Sequence, residues 1–377
     1  MALGFSLYLD LFRLLAALTV VASHVVGDPH FGGSYAYPRF GEEAVMGFFV
    51  LSGLVIAYVA HCRERDLSLF AASRLSRLWV VLVPALVLTP LIDAAGRWVS
   101  PSAYEGWGSV LQFDHPAWRL LASALFLNET WLQSIVPLSN VPAWSLGFEA
   151  WYYAIFAGFI FSSRALRPWI VAALALAAGP KILLLMPVWL LGALIYDRRA
   201  SIRLPRRTAI GLFLAGPALI VGLKTLHVGA LLRAAGEGLL GAPFVEGSLG
   251  YADNFLWQNL VGVLVCVHLV GATALSGGFE RLLARGEKAI RFGSAATLPI
   301  YLLHFPLALM IAAMIGDHVG AGAKMAAVFS GAVVLSVLAG LPLAALHAPL
   351  KAQLLAAFRA SGRKISRRLR PAQASLG

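Results

Sequence analysis

Apolar runs recur along this chain, near 5–26, 42–60, 78–97, 144–162, 169–180, 182–196, 208–226, 253–275, 293–315 and 325–346, and they decide what it can fold into. A helix needs about 17–25 apolar residues to cross a bilayer, and several of these runs reach that length. Strands of a membrane barrel alternate in polarity at every second residue. These runs do not alternate, so the spans are helices. Composition agrees, with 59% of residues hydrophobic and only 13% charged. Soluble domains carry about a quarter charged residues. The sequence therefore predicts an all-α polytopic membrane bundle of about ten spans. Its weakest place is 169–196, where Gly179-Pro180 divides one apolar run into two short helices. Such short helices are tolerated when packed against neighbours or lining a cavity.

A net charge of +12 first suggests nucleic acid, but its distribution argues against that partner. With a cytoplasmic N-terminus, the inner connections are 61–77, 163–168, 197–207, 276–292 and the tail after His347. They hold 22 of the 30 Lys and Arg residues, and the outer connections hold seven. This positive-inside bias predicts that both termini are cytoplasmic. It also divides the chain into a membrane domain, 1–350, and a basic cytoplasmic tail, 351–377, that suits the anionic lipid surface. The two long outer connections, 27–41 and 98–143, are rich in Gly, Pro, Trp and His, where recognition is often carried. Cys62 and Cys266 make no disulfide framework, and no spacing suggests a metal site.

Against that background, ionisable groups inside spans stand out, because burying them is costly without a task. Asp10, Arg13 and His24 lie in the first span. Eleven steps of about 100° bring Arg13 and His24 within roughly 20° of one face, some ~16 Å apart along the axis. Asp10, three residues before Arg13, can pair with it. The second span opens on Glu42 and Glu43 and carries Ser52 between small residues, a pattern that also serves helix packing. Arg74 and Arg77 are one turn apart; they suit phosphates, and equally suit anchoring at the inner surface. The fourth span carries Trp144, Ser145, Glu149 and Tyr153. Its aromatics fit an interfacial belt, whereas Glu149 needs a partner or a role. Tyr301 and His304 share a face of the ninth span, His304 being either a satisfied core histidine or part of a site. His268, alone in the eighth span, reads as structural.

Taken in order, these blocks resemble the acyltransferase 3 family of integral membrane O-acyltransferases. The resemblance rests on Leu9-Asp10 with Arg13 and His24, on Phe48-Phe49-Val50-Leu51-Ser52-Gly53, on Arg74 with Arg77, on Trp144-Ser145-Leu146 with Glu149 and Tyr153, and on Tyr301-Leu302-Leu303-His304-Phe305-Pro306. There are departures. Met46 stands where an acid is common, so that part falls to Glu42, to Glu43 or to neither. Trp79-Val80 replaces the family's Tyr-Pro. The resemblance implies transfer of an acyl group, by expectation acetyl, from cytoplasmic acyl-CoA to a carbohydrate hydroxyl. The acceptor would be an exopolysaccharide, lipopolysaccharide or related glycoside, at a bacterial cytoplasmic (inner) membrane. It also implies that Arg13 and His24 are essential.

On this expectation His24, Arg13 and Glu149 are catalytic, with His24 a general base or an acyl carrier. Arg13, Arg74, Arg77 and Ser52 bind the donor. Asp10, Glu42, Glu43, Trp144, Ser145, Tyr153, Tyr301 and His304 line a tunnel or hold the acceptor. The expected partners are membrane lipids, acyl-CoA as co-substrate and a carbohydrate or glycolipid acceptor, with no tightly bound cofactor. The alternative is a multi-pass transporter or flippase for a glycan or small anion, using the same intramembrane charges.

Overall fold

The computed structural model describes residues 2–108, 110–316 and 318–369, with side chains up to residue 361. Its elements are the helices α1 (Leu3–Val25), α2 (Gly41–Cys62), α3 (Leu67–Val99), α4 (Pro116–Ala124), α5 (Trp144–Phe161), α6 (Arg167–Ala178), α7 (Pro180–Arg198) and α8 (Arg206–Thr225), then α9 (Val228–Leu240), α10 (Ala242–Ser248), α11 (Phe255–Ala274), α12 (Ser276–Leu283), α13 (Glu287–Ile315), α14 (Ala321–Gly340) and α15 (Leu343–Leu369). No strand occurs among the described residues, only an isolated bridge between Gln112 and Leu138. The protein is a helical, multi-pass membrane bundle.

Eight stretches of the described residues are helical, long and apolar enough to cross a bilayer, or nine if α9 and α10, bent by 109°, form one span. Two of the ten expected runs fall short of that. The run at 144–162 folds as α5, whose 18 residues include Glu149 and four Trp or Tyr side chains in its first ten positions. The run at 169–180 folds as α6, only 12 residues long. Between α6 and α7, Gly179 takes φ +86°, and a Cβ there would press on the Trp131 backbone. Glycine reaches that conformation without penalty, and the Trp131 N–H donates to the Ala178 carbonyl at 3.0 Å. The expected run at 325–346 breaks after Gly340, ahead of Pro342, into α14 and α15.

Two helices are longer than the apolar patterns predict. Asp66 caps α3 by accepting from the Leu69 N–H at 2.9 Å, so helix begins at Leu67. Arg74 and Arg77 therefore stand two turns inside a helix rather than closing a loop. Likewise α13 begins at Glu287, six residues before the apolar run.

Packing sets the site. α1 and α13 run side by side in the same direction, Asp10 meeting Arg291 and Ser294, and His24 meeting His304. α2 and α7 approach until a Cβ on Gly53 would overlap the Trp189 carbonyl and one on Gly192 the Val50 carbonyl. Small residues at a crossing permit this approach, the close fit on which helix association in a bilayer depends.

Candidate active site

A cavity of about 470 Å³ lies among α1, α2, α3, α5, α13, α14 and α15. Of the residues singled out from sequence, Asp10, Arg13, Ser52, Arg74, Arg77, Ser145, Glu149, Tyr153 and Tyr301 line it. His24, His304, Glu42, Glu43 and Trp144 do not. Arg13 and His24, expected near one face of the first helix, are thus not both in the cavity: Arg13 lines it and His24 does not.

The Arg13 end is strongly cationic. Arg13, Arg74, Arg77 and Arg291 all line the cavity, with His347 of α15 beside them. Asp10 accepts from Arg13 Nη1 at 3.5 Å, from Arg291 Nη1 at 2.8 Å and from Ser294 Oγ at 2.9 Å, so one carboxylate joins α1 to α13. Arg74 is committed: its Nη2 donates to both oxygens of Glu64, at 2.9 and 3.1 Å, and both side chains are buried. Arg77 is exposed, and no carboxylate pairs with it among the described residues. It is the cation free to meet an anion entering the cavity.

Further in, Glu149 Oε1 accepts hydrogen bonds from Ser52 Oγ, at 2.7 Å, and from the Tyr153 hydroxyl. Trp189 Nε1 donates to Ser52 Oγ at 3.2 Å. This network joins α2, α5 and α7 at the Gly53–Gly192 crossing, and it answers the demand that a carboxylate inside a membrane find partners. Tyr301 lines the far end; its hydroxyl bonds Ser145 Oγ at 2.7 Å and its ring packs in a T-shaped arrangement with Phe48. One turn beyond, fully buried His304 meets His24, with His304 Nε2 at 3.0 Å from His24 Nδ1.

The remaining expected residues lie elsewhere. Glu43 is buried in an ion pair with Lys224 and accepts from Trp257 Nε1 at 2.9 Å. Glu42 precedes it outside the cavity lining, and Trp144 stacks on Tyr251 with ring centres 4.5 Å apart. His268 bonds the Tyr8 hydroxyl and donates to the Phe213 carbonyl at 2.6 Å, a wholly internal set of partners.

Sequence reasoning overlooked Arg291, Glu64, Trp189 and His347. Arg291 counts as one more loop cation until α1 and α13 are known to be neighbours. Trp189 reads as an apolar span residue until its indole N–H finds Ser52. Only Glu64, an acid ten residues before Arg74, offered a local hint.

These features define a helical membrane protein with an arginine-rich cavity sunk between its spans. A family model described as an acyltransferase domain matches residues 6–344. The exopolysaccharide production protein ExoZ of Rhizobium meliloti (strain 1021) is 30% identical over 312 residues, covering 78% of this chain and 86% of that protein. No solved structure matches the chain. The chain belongs to the acyltransferase 3 family and is an acyltransferase enzyme, which sets aside the transporter alternative.

Proposed function

We propose that this enzyme transfers an acyl group, acetyl in the simplest case, from acyl-CoA to a hydroxyl of an exopolysaccharide or related glycan at the cytoplasmic membrane of a bacterium. The observation that carries the donor half is the cavity with four arginines at its lining. Guanidinium groups match phosphate oxygens in a planar, two-pronged geometry, and coenzyme A is a phosphate-rich molecule with a long thin arm. Arg77, with Arg13 and Arg291, takes the phosphates at the cytoplasmic mouth, and the arm extends past Ser52 and Glu149 towards Tyr301. The similarity to ExoZ, named for exopolysaccharide production, supports a polysaccharide acceptor.

His24 is the general base. Its Nε2 takes the acceptor hydroxyl proton as the oxygen attacks the thioester carbonyl. The carbon–sulfur bond breaks, and the coenzyme A thiolate recovers the proton from the imidazolium, giving ester and free thiol. An imidazole titrates near neutral pH in water and is suited to this exchange. Because Tyr301 and Ser145, bonded to each other, line the cavity and His24 does not, the reading requires their hydrogen bond to part when the donor is bound. Membranes containing the protein should pass label from radioactive acetyl-CoA to polysaccharide. His24→Ala should lose this by at least about 10²-fold, the lower range of general-base catalysis. Label that stays on coenzyme A in the parent, or full transfer by the variant, contradicts the reading.

A further inference from the structure

We propose that His304 is a positioning residue that fixes the tautomer of His24, in the role that a carboxylate plays in many hydrolases. The proposal rests on His24 acting as the base, and adds what holds it in the basic form. His304 Nδ1 lies 3.0 Å from the Ile300 carbonyl and 2.8 Å from the Tyr301 carbonyl. Carbonyl oxygens only accept, so the proton of His304 is on Nδ1. A neutral imidazole has one N–H, and a second proton on this fully buried ring, with no carboxylate in contact, would leave an unpaired charge in the bundle. His304 Nε2 is therefore a bare lone pair. It is 3.0 Å from His24 Nδ1, which must then be the donor.

The consequence passes through the ring. With its proton held on Nδ1, His24 presents an unprotonated Nε2 on the side away from His304. That nitrogen is the one able to take a proton from an acceptor hydroxyl. The Phe305 ring packs against His24 in a T-shaped arrangement, with ring centres 5.1 Å apart, and limits its rotation. Arg39 is held by the Gly27 carbonyl at 2.9 Å and by Asp28 at 3.2 Å. No carboxylate bonds His24 among the described residues, so the orienting acceptor is the neutral imidazole alone.

The test uses the full-length protein in nanodiscs with ¹⁵N-labelled histidine, His24 being assigned by its loss in His24→Ala. The expected spectrum has the proton of His24 on Nδ1 and none on Nε2, and His304→Leu removes that preference. In acetyl transfer, His304→Leu should lower kcat by about 10²-fold with the KM for acetyl-CoA unchanged. His304→Gln, which keeps an acceptor oxygen near the Nε2 position, should recover most of that loss. A parent spectrum with the proton of His24 on Nε2 overturns the proposal whatever the variants do, as does undiminished kcat in His304→Leu when His24→Ala is inactive. An active His24→Ala overturns the assignment of the base instead, and the two failures are thereby distinguished.

Discussion

Arg74 and Arg77 are one turn apart on α3 and look interchangeable in the sequence, yet their surroundings give them different work. Arg74 is buried against Glu64, and removing one partner of a buried pair leaves the other charge uncompensated, a loss of about 3–5 kcal/mol. Arg74→Ala is expected to lower the thermal midpoint sharply. Arg77 is exposed and has no carboxylate partner among the described residues, so Arg77→Ala should leave the midpoint unchanged. It should raise the KM for acyl-CoA about tenfold or more, since a hydrogen bond to a charged group contributes about 1.5–3 kcal/mol. Midpoints and donor KM values for the two variants check this, and equal effects on both quantities would defeat the distinction. The types and positions of Asp10, Arg13, His24 and Glu149 were legible in the sequence, because an ionisable group within a membrane span is rare enough to mark itself. Their partners were not: the Asp10–Arg291, Ser52–Glu149 and His24–His304 contacts join residues on different helices, and no local spacing encodes which helices adjoin.

At the scale of elements, the crossing of α2 and α7 carries the Glu149 network, and glycines make it possible. Replacing glycine with alanine in an exposed helix interior adds about 1 kcal/mol of helix stability. At Gly53 the added methyl would run into the Trp189 backbone, and overpacking of this kind is destabilising by about 1–3 kcal/mol. Gly53→Ala should therefore lower both the thermal midpoint and the activity, by moving Trp189 away from Ser52. Gly211→Ala on α8, where nothing lies within 4 Å, should do neither. The outer connection 98–143 supplies a second test. Its part next to α5 holds buried polar side chains, Asn128, Glu129, Ser139 and Asn140. Glu129 pairs with Lys181 Nζ at 2.6 Å at the head of α7. Burial pushes the Glu129 carboxyl up to about 7, against the opposing pull of Lys181. An unfolded glutamate titrates near about 4.3, so the folded state holds this proton more tightly between those values. The associated stability is complete at low pH and is lost as pH rises through about 7. The midpoint of the solubilised protein should fall between about pH 5 and pH 8, less steeply in Glu129→Gln, and a rise over that range would contradict it. Helix periodicity was visible in the sequence, whereas the burial of Asn128, Glu129, Ser139 and Asn140 was not, because only their tertiary partners reveal it.

For the whole molecule, the parallel pairing of α1 with α13 separates two kinds of chemistry along one direction. Arginines gather at one end of the pair, and the two histidines meet at the other. From Arg13 to His24 the helix rises roughly 16 Å, about half the ~30 Å hydrocarbon core. A donor bound at the arginines and an acceptor met at His24 would thus approach from opposite faces of the membrane. On the proposed reading, with the orientation expected from the positive-inside bias, the arginine end faces the cytoplasm. Acyl-CoA is too highly charged to cross a bilayer unaided, so the assignment predicts a sided reaction. Sealed inside-out vesicles, with the cytoplasmic face outward, should consume added acetyl-CoA, whereas sealed right-side-out vesicles should not until they are permeabilised. Raising ionic strength should increase the KM for the donor in the inside-out preparation, because screening weakens attraction between exposed arginines and phosphates. Equal consumption by intact vesicles of both orientations would mean that the donor does not enter at the arginine end. The cationic cavity would then need another occupant, even if His24 remained essential for transfer.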